Sequence, residues 1–292
     1  MDNVNVKSQF KSLFFRRLVS YIVLVFLAIL SLFPLYIMLI NSTHTHMDIQ
    51  RGFNFLPSNF FKANFLKLVI EKKANYPILV GMKNSLIIST LVAILTTYFS
   101  SMTSYGIYMY NFKAKKFCFK FIMAIMMVPT QVSTLGFLKL LQVLNLTKGW
   151  SSYIGLIVPS IAAPVVFFYM YQSMEATLPF SIVEAARVDG CHEFRTFNQI
   201  VIPMMKPAIA VQSIFAFVST WSNYFVPALV INQKKQWTVP IVIANARNAD
   251  YMQFDMCIIY MLLCLAIIPL VIVYFCLSRY IISGATAGGV KE

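Results

Sequence analysis

Six long apolar runs restrict the fold of this sequence more than any other feature. A helix needs about 20 apolar residues to cross the hydrocarbon core of a bilayer, and each run is about that long. Of the 292 residues, 59% are hydrophobic and only 12% are charged, as in a polytopic membrane protein. The sequence predicts a single all-α transmembrane domain over residues 1–292, with six spans at about 18–40, 86–105, 118–138, 152–171, 208–230 and 257–277.

The distribution of basic residues predicts how these spans are oriented. Lysine and arginine are enriched in cytoplasmic loops, and they are dense before the first span and at Lys113, Lys115, Lys116 and Lys120, between spans two and three. The first run is too long for a signal peptide and no small-residue cleavage site follows it, so we expect it to remain as a span. Both termini are then expected in the cytoplasm, although the outer loop 41–83 also carries lysines.

No pattern in the sequence predicts catalytic, metal or nucleotide chemistry. The five cysteines form no C-x-x-C pair, and His44 and His46 lack a third ligand at a suitable spacing. No G-x-x-x-x-G-K-[ST] stretch is present to hold nucleotide phosphates, so any ATP must be bound by another polypeptide. We expect no catalytic residue, no metal and no cofactor. The net charge of +14 is expected to face anionic lipid headgroups rather than nucleic acid.

The apolar runs contain neutral polar groups but no acidic residue, histidine or arginine. A carrier driven by protons or sodium needs ionisable groups inside the membrane, so this composition disfavours an ion-driven mechanism. Amides and hydroxyls suit a neutral, hydroxyl-rich solute, although the same groups also bond one helix to another. The candidate pathway-lining residues are Gln131, Gln172, Gln212, Ser222 and Asn223.

A polar segment, EAARVDGCHEFRTFNQIVIPMMKP at 184–207, lies between the fourth and fifth apolar runs. Ser181 and Glu184 have the spacing of a capping box, which predicts that a helix begins there. Gly190 predicts the end of that helix, and a second short helix is expected at about 192–201. This arrangement of two helices on the inner face of the bilayer is suited to receiving force from a soluble partner.

The order of small and apolar residues in this segment is specific. Glu-Ala-Ala at 184–186 is followed after three residues by Gly190, and after nine more by Ile200, Ile202 and Pro203. This order resembles the EAA loop of permease subunits in binding-protein-dependent ABC importers, with isoleucine in place of the usual leucine before the proline. The resemblance implies that residues 181–203 dock into a cleft of a separate nucleotide-binding subunit. The coupling residues are then Glu184, Ala185, Ala186, Asp189, Gly190, Ile200 and Pro203.

The C-terminal sequence narrows the family further. Residues 284–291, GATAGGVK, are similar to the GLTAGAVKG ending of carbohydrate-type importer permeases, and the layout is similar to the smaller permease of the maltose system. The family often has Trp-Asn before an aromatic residue in span five, whereas here Asn223 stands one place later. The resemblance makes 231–256 an outer loop that probes the solute-binding protein. Its candidate contact residues are Asn232, Gln233, Trp237, Asn245 and Arg247.

The resemblance implies a membrane-spanning subunit of an ATP-driven importer for sugars or oligosaccharides, in the bacterial cytoplasmic membrane. It also implies a second, homologous permease, two copies of an ATPase subunit and an extracytoplasmic solute-binding protein. Two other classes remain as alternatives: a stand-alone secondary carrier or channel for a neutral solute, and a membrane scaffold that transports nothing. The lack of acidic residues, histidine and arginine in the apolar runs disfavours the ion-driven carrier, and the EAA spacing also disfavours a stand-alone carrier or channel.

Overall fold

The computed structural model describes residues 2–73, 75–249 and 254–288, with side chains described between residues 13 and 278 except at 130 and 131. Within these residues the regular structure is entirely helical. Two π-helical turns lie at Lys67–Glu71 and Phe197–Val201, and a 3₁₀ turn lies at Lys234–Gln236. The α-helices are α1 Asp2–Ser42, α2 His46–Gln50, α3 Phe61–Leu66, α4 Ile78–Met109, α5 Lys115–Met126, α6 Thr130–Val143, α7 Ser151–Ser160, α8 Pro164–Thr177, α9 Phe180–Val188, α10 Glu193–Thr196, α11 Ile202–Met204, α12 Lys206–Trp221, α13 Phe225–Val230, α14 Val239–Arg247 and α15 Met256–Gly288.

The structure confirms the predicted fold class, which is an all-helical protein of the membrane type. Three helical stretches in the described residues are long and apolar enough to cross a membrane: Leu13–Ser42, Ile78–Met109 and Met256–Ser278. Two bent pairs raise this number to as many as five. One pair joins α7 to α8 with a bend of 40°, and the other joins Glu193–Met204 to α12 with a bend of 82°.

Some of the predicted spans are divided in the structure, and two of the divisions fall where proline interrupts the backbone hydrogen bonds of a helix. Proline has no amide hydrogen to donate, so it is favoured where a helix begins rather than in its interior. The predicted third span, 118–138, is divided into α5 and α6, with Pro129 at the start of α6. The fourth is divided ahead of Pro164, the first residue of α8. The fifth is divided between α12 and α13.

The chain divides into two compact units, 1–71 with 249–265, and 72–248 with 266–292. In the first unit, the Lys67 ammonium lies 2.6 Å from Asp255, and the Met256 amide donates to His46 Nδ1. Burial opposes ionisation of Asp255, but hydrogen bonds from Cys257 and Lys67 and the charge of Lys67 outweigh it, so the pKa of Asp255 lies below its usual range. These contacts join the loop after α1 to the start of α15.

In the second unit, α4 is the central helix and packs most extensively against α12 and α8. Its buried face is a stripe of small hydroxyl residues, which lets neighbouring helices approach closely. Thr96 donates to the Ser160 carbonyl at 2.8 Å, and Ser104 donates to the Phe167 carbonyl at 2.9 Å. Because α4 is continuous from Ile78 to Met109, it connects the two ends of this unit.

Candidate functional site

The segment that resembles the EAA loop begins with α9, but not with the predicted cap. Pro179 occupies the N-cap position and α9 starts at Phe180, so Ser181 lies inside the first turn. No side chain caps this helix, and the predicted capping box of Ser181 and Glu184 is therefore wrong. The fixed φ of Pro179 sets the direction of the chain between α8 and α9.

One face of α9 packs onto the helix bundle. Val183 and Ala186 are buried, and Val183 belongs to an apolar cluster. Ala186 therefore allows close packing within the chain, whereas the resemblance placed it among the residues that dock onto the nucleotide-binding subunit. The other members of the cluster come from α4, α8, the π-helical turn and Met205; they include Tyr105, Met170, Met174, Leu178, Phe197, Val201 and Met205.

The predicted break after α9 is confirmed at Gly190. Asp189 ends the helix, and Gly190 adopts φ +76° in the left-handed region that favours glycine. The Cys191 amide donates to the Ala186 carbonyl at 2.9 Å, which closes the turn. No atom would lie within 4 Å of a Cβ added at Gly190, so the constraint on this residue is its backbone conformation.

An ion pair holds the two sides of this turn together and joins them to α4. The Arg187 Nε donates to Glu193 at 2.6 Å, and the Tyr105 hydroxyl donates to the other carboxylate oxygen at 2.8 Å. The Arg187 guanidinium also lies over the Tyr110 ring, 5.4 Å from its centroid. The hydrogen bond to Glu193 raises the pKa of Arg187, against the opposing effect of burial. Sequence reasoning missed this clamp; its one local signal is an opposite-charge pair on either side of a glycine turn.

The outer surface of the loop combines acidic and apolar groups. We name it the coupling face and define it as Glu184, Ala185, Val188, Asp189, Gly190 and Phe194. Val188 is 87% exposed and Phe194 is 69% exposed, which is high for large apolar side chains. Glu184 takes part in none of the ion pairs found among the described residues. Sequence reasoning did not single out Val188 or Phe194.

Two further predicted coupling residues lie beyond this face. Ile200 is half-buried in the π-helical turn, and Pro203 is exposed in α11. Both precede the 82° bend that leads into α12. They therefore lie where the chain turns into α12, outside the coupling face.

Of the four candidate pathway residues whose side chains are described, only Asn223 lines a cavity that the other three do not share. Asn223 lines a cavity of about 310 Å³ in the second unit. Gln212 is buried in α12 away from that lining, and Gln172 is exposed. Ser222 is also exposed and donates to the Val218 carbonyl at 2.7 Å. The Gln131 side chain lies outside the described residues.

The cavity has a polar lining that sequence reasoning largely missed. Its hydroxyls come from α4, α6, the end of α7, the end of α12 and the residue before α14. None of the residues that line it carries a charge. Besides Asn223, the polar residues of the lining include Ser85, Ser89, Ser160, Thr220 and Thr238.

The loop after α13 is held against the start of α4. The Asn84 side-chain amide donates to the carbonyls of Lys235 and Trp237, each at 3.0 Å. The Ser85 hydroxyl accepts the Val239 amide at 2.9 Å. The adjacent Asn84 and Ser85, near the start of the second predicted span, therefore fix the position of a segment about 150 residues later.

The candidate binding-protein contacts fall on this loop and on α14. Asn232, Gln233, Asn245 and Arg247 are exposed. Trp237 is half-buried and packs against the apolar cluster of α4, α7 and α13, with the Lys234 ammonium 5.6 Å from its ring centroid. Trp237 thus supports the loop, and the four other residues are accessible.

The comparisons with known proteins agree with this architecture. Residues 97–286 match the family described as binding-protein-dependent transport system inner membrane component. The chain belongs to this family. It is therefore a multi-pass transport subunit of the inner membrane rather than an enzyme, and its family implies partnership with an ATPase and a binding protein.

Individual relatives are named as permeases. The chain is 36% identical over 208 residues to an arabinooligosaccharides transport system permease protein, AraQ, of Bacillus subtilis, covering 71% of this chain and 72% of the relative. It is 30% identical over 269 residues to the AraQ of Halalkalibacterium halodurans, covering 91% of this chain and 93% of the relative. It is 31% identical over 216 residues to a maltodextrin transport system permease protein, MalD, of Streptococcus pneumoniae, covering 71% and 73%.

A solved structure has the same fold. It is a chain of a bacterial ABC transporter involved in the import of the acidic polysaccharide alginate. The TM-score is 0.76, the identity is 18%, and the match covers 90% of this chain and 95% of that chain.

Proposed function

We propose that this chain is a permease subunit of an ATP-driven importer for sugars or oligosaccharides, and that residues 181–203 receive the force of a separate ATPase. The observation that carries the proposal is the coupling face. Its exposed acidic and apolar groups stand on a turn that Arg187 and Glu193 tie to Tyr105. A partner that pushes this face moves α4 with it, because the clamp joins the loop to that helix.

The sugar class is supported by two independent features. The relatives described above are named for arabinooligosaccharides and maltodextrin. In this chain, the cavity beside α4 is lined by hydroxyls and an amide, with no charged residue among those that line it. Such a lining suits a neutral, hydroxyl-rich solute better than an ion, because a buried charge needs a charged or strongly polar partner.

The proposal includes the arrangement of the complex. The chain crosses the membrane six times with both termini in the cytoplasm, and it forms the pathway with a second, homologous permease. Two ATPase subunits close on ATP and press on the coupling face, and an extracytoplasmic binding protein delivers the solute. That protein meets the exposed residues Asn232, Gln233, Asn245 and Arg247, and Trp237 supports the loop from behind.

The test is purification of the tagged chain from its native membrane in mild detergent. We expect a second permease and an ATPase to accompany it, with ATP hydrolysis stimulated by loaded sugar-binding protein. Val188→Asp should release the ATPase, because it places a charge at the most exposed apolar position of the coupling face. The matched control is Leu56→Asp, at a position that is 78% exposed in the other unit, and it should retain the ATPase.

Two results would contradict the proposal. One is recovery of this chain without any ATPase. The other is solute flux through the reconstituted chain alone, which would indicate a secondary carrier or channel.

A further inference from the structure

Two buried hydroxyls in the cavity beside α4 have no hydrogen-bond partner among the described residues. They are the Ser89 Oγ and the Thr238 Oγ1. Ser89 is 1% exposed and Thr238 is 4% exposed, and both line the same cavity. Since a buried polar group left unpaired is costly, such groups normally bond to a ligand or to water.

Neighbouring polar groups of the lining are already engaged within the chain. The Ser160 hydroxyl donates to the Leu156 carbonyl at 2.8 Å, and the Ser85 hydroxyl accepts the Val239 amide at 2.9 Å. Ser89 and Thr238 therefore carry the buried hydroxyls of the lining that lack a hydrogen-bond partner among the described residues. They come from α4 and from the residue before α14, so the tertiary fold brings them to one cavity.

The size and chemistry of the cavity indicate the class of ligand. Its volume of about 310 Å³ is at the low end of the range of about 300–1,000 Å³ that small-molecule pockets occupy. The walls include Phe137, Leu156 and Val226, so a few polar groups are set in an apolar surface. A sugar ring has apolar faces and a rim of hydroxyls, and it carries no charge that the cavity would leave unpaired.

The cavity lies at the opposite end of α4 from the coupling loop. Ser89 precedes Tyr105 by 16 residues, which corresponds to about 24 Å along a helix. The cavity is next to the loop that Asn84 and Ser85 hold in place. In the proposed orientation this is the outer half of the membrane, where a solute released by the binding protein arrives.

We propose that this cavity is a sugar-binding site of this subunit, and that Ser89 and Thr238 hydrogen-bond the hydroxyls of one sugar ring. The inference rests on the proposed importer function and adds to it a direct contact between this chain and the solute. Solute recognition in the complex is then shared between the binding protein and this subunit.

The test uses the complete importer, reconstituted in proteoliposomes with radiolabelled maltotriose and arabinotriose as probes. Ser89→Ala and Thr238→Val each remove one hydroxyl, and each should raise the KM for uptake by about threefold to tenfold, the scale of one hydrogen bond to a neutral ligand. The double variant should raise the KM for uptake more than either single variant does. Uptake is normalised to the amount of assembled complex, so that a change in solute binding is distinguished from a loss of folded importer.

Ser101→Ala is the matched control. Ser101 is also on α4 and fully buried, but its hydroxyl donates to the Thr97 carbonyl at 2.6 Å and it does not line the cavity. Its KM should stay within about twofold of the wild-type value, because the hydroxyl has no role outside its own helix.

A second measurement reads occupancy of the cavity directly. Ser89→Cys is placed in a background from which the five native cysteines have been removed, and it is labelled with a small methanethiosulfonate reagent. A transported sugar, supplied with loaded binding protein, should slow the labelling at least threefold. A sugar that the importer does not transport should leave the rate unchanged.

The outcomes separate this inference from the proposed function. If the wild-type complex transports a sugar but the KM and the labelling rate do not respond, the cavity holds only water and the inference is wrong. If the wild-type complex, with its ATPase assembled, transports neither probe nor any other sugar offered, the sugar-import function itself is overturned.

Discussion

At the scale of single residues, Gly155 marks the tightest approach found for a described glycine. It lies in α7, where an added Cβ would be 2.7 Å from the Leu146 carbonyl oxygen and 3.3 Å from Leu141. The first neighbour is backbone, so it cannot rotate away as a side chain can. The absence of a side chain at this position therefore lets α7 pack against the end of α6.

Gly155→Ala should destabilise the second unit. Overpacking of this kind costs about 1–3 kcal/mol, so we expect the unfolding temperature of the detergent-solubilised chain to fall by several degrees. The control is Gly136→Ala in α6, where no atom of the described residues lies within 4 Å of the added Cβ. That change should be neutral or stabilising by up to about 1 kcal/mol, because alanine favours a helix over glycine. Equal unfolding temperatures for the two variants would contradict the packing argument.

At the scale of elements, α4 links the two regions to which we assign function. Its first turns hold the loop before α14 through Asn84 and Ser85, and its last turns hold the coupling loop through Tyr105. Tyr98 adds a second contact to that loop, since its hydroxyl donates to Asn198 at 3.1 Å. The helix can therefore pass a displacement from one end of the unit to the other.

Glu193→Gln should weaken this link while preserving the shape of the side chain. The substitution removes the charge that pairs with Arg187, and it keeps one oxygen for the Tyr105 hydroxyl. In the reconstituted importer we expect ATP hydrolysis to continue while the sugar transported per ATP falls severalfold. Arg195→Gln is the control, because Arg195 is exposed and its Nε bonds only to Gln199, one turn later. If Glu193→Gln transported as much sugar per ATP as the wild type, the contacts of Glu193 with Arg187 and Tyr105 would have no part in coupling.

At the scale of the whole molecule, the coupling that we propose depends on a rigid turn between α9 and α10. Gly190 forms this turn in the left-handed region, and no described atom elsewhere in the chain would lie within 4 Å of a Cβ placed there. A substitution at Gly190 therefore acts on the shape of the coupling face and on its partner, rather than on the packing of the bundle.

Gly190→Val should uncouple ATP hydrolysis from uptake without preventing insertion into the membrane. A β-branched residue is strained at positive φ, so the turn must change shape. Gly190→Asn is the matched control, because asparagine tolerates this conformation better than other residues. We expect uptake by the Val variant to fall at least tenfold and uptake by the Asn variant to fall much less. Normal uptake in Gly190→Val, measured at equal amounts of membrane-inserted chain, would argue against a rigid turn.

The sequence alone determined the properties that depend on neighbouring residues. Apolar runs of about 20 residues predict helices in a membrane because the bilayer sets that length. Residues 184–203 resemble the EAA loop of importer permeases in their spacing, so their coupling role stays a prediction, whereas Gly190 predicts its turn from its own conformational freedom. The breaks at Pro129 and Pro164 were within reach of the same local reasoning, but the hydrophobic pattern concealed them.

Only the tertiary structure decided which distant residues meet. Tyr105 and Glu193 are 88 positions apart, and Asn84 and Trp237 are 153 apart. Ser89 and Thr238 share one cavity for the same reason, whereas the predicted pathway residue Gln172 lies on the surface. A hydroxyl or amide in an apolar run has the same local signal whether it faces lipid, a neighbouring helix or a cavity. The packing of α4 against α8, α12 and α14 determines which of these it faces.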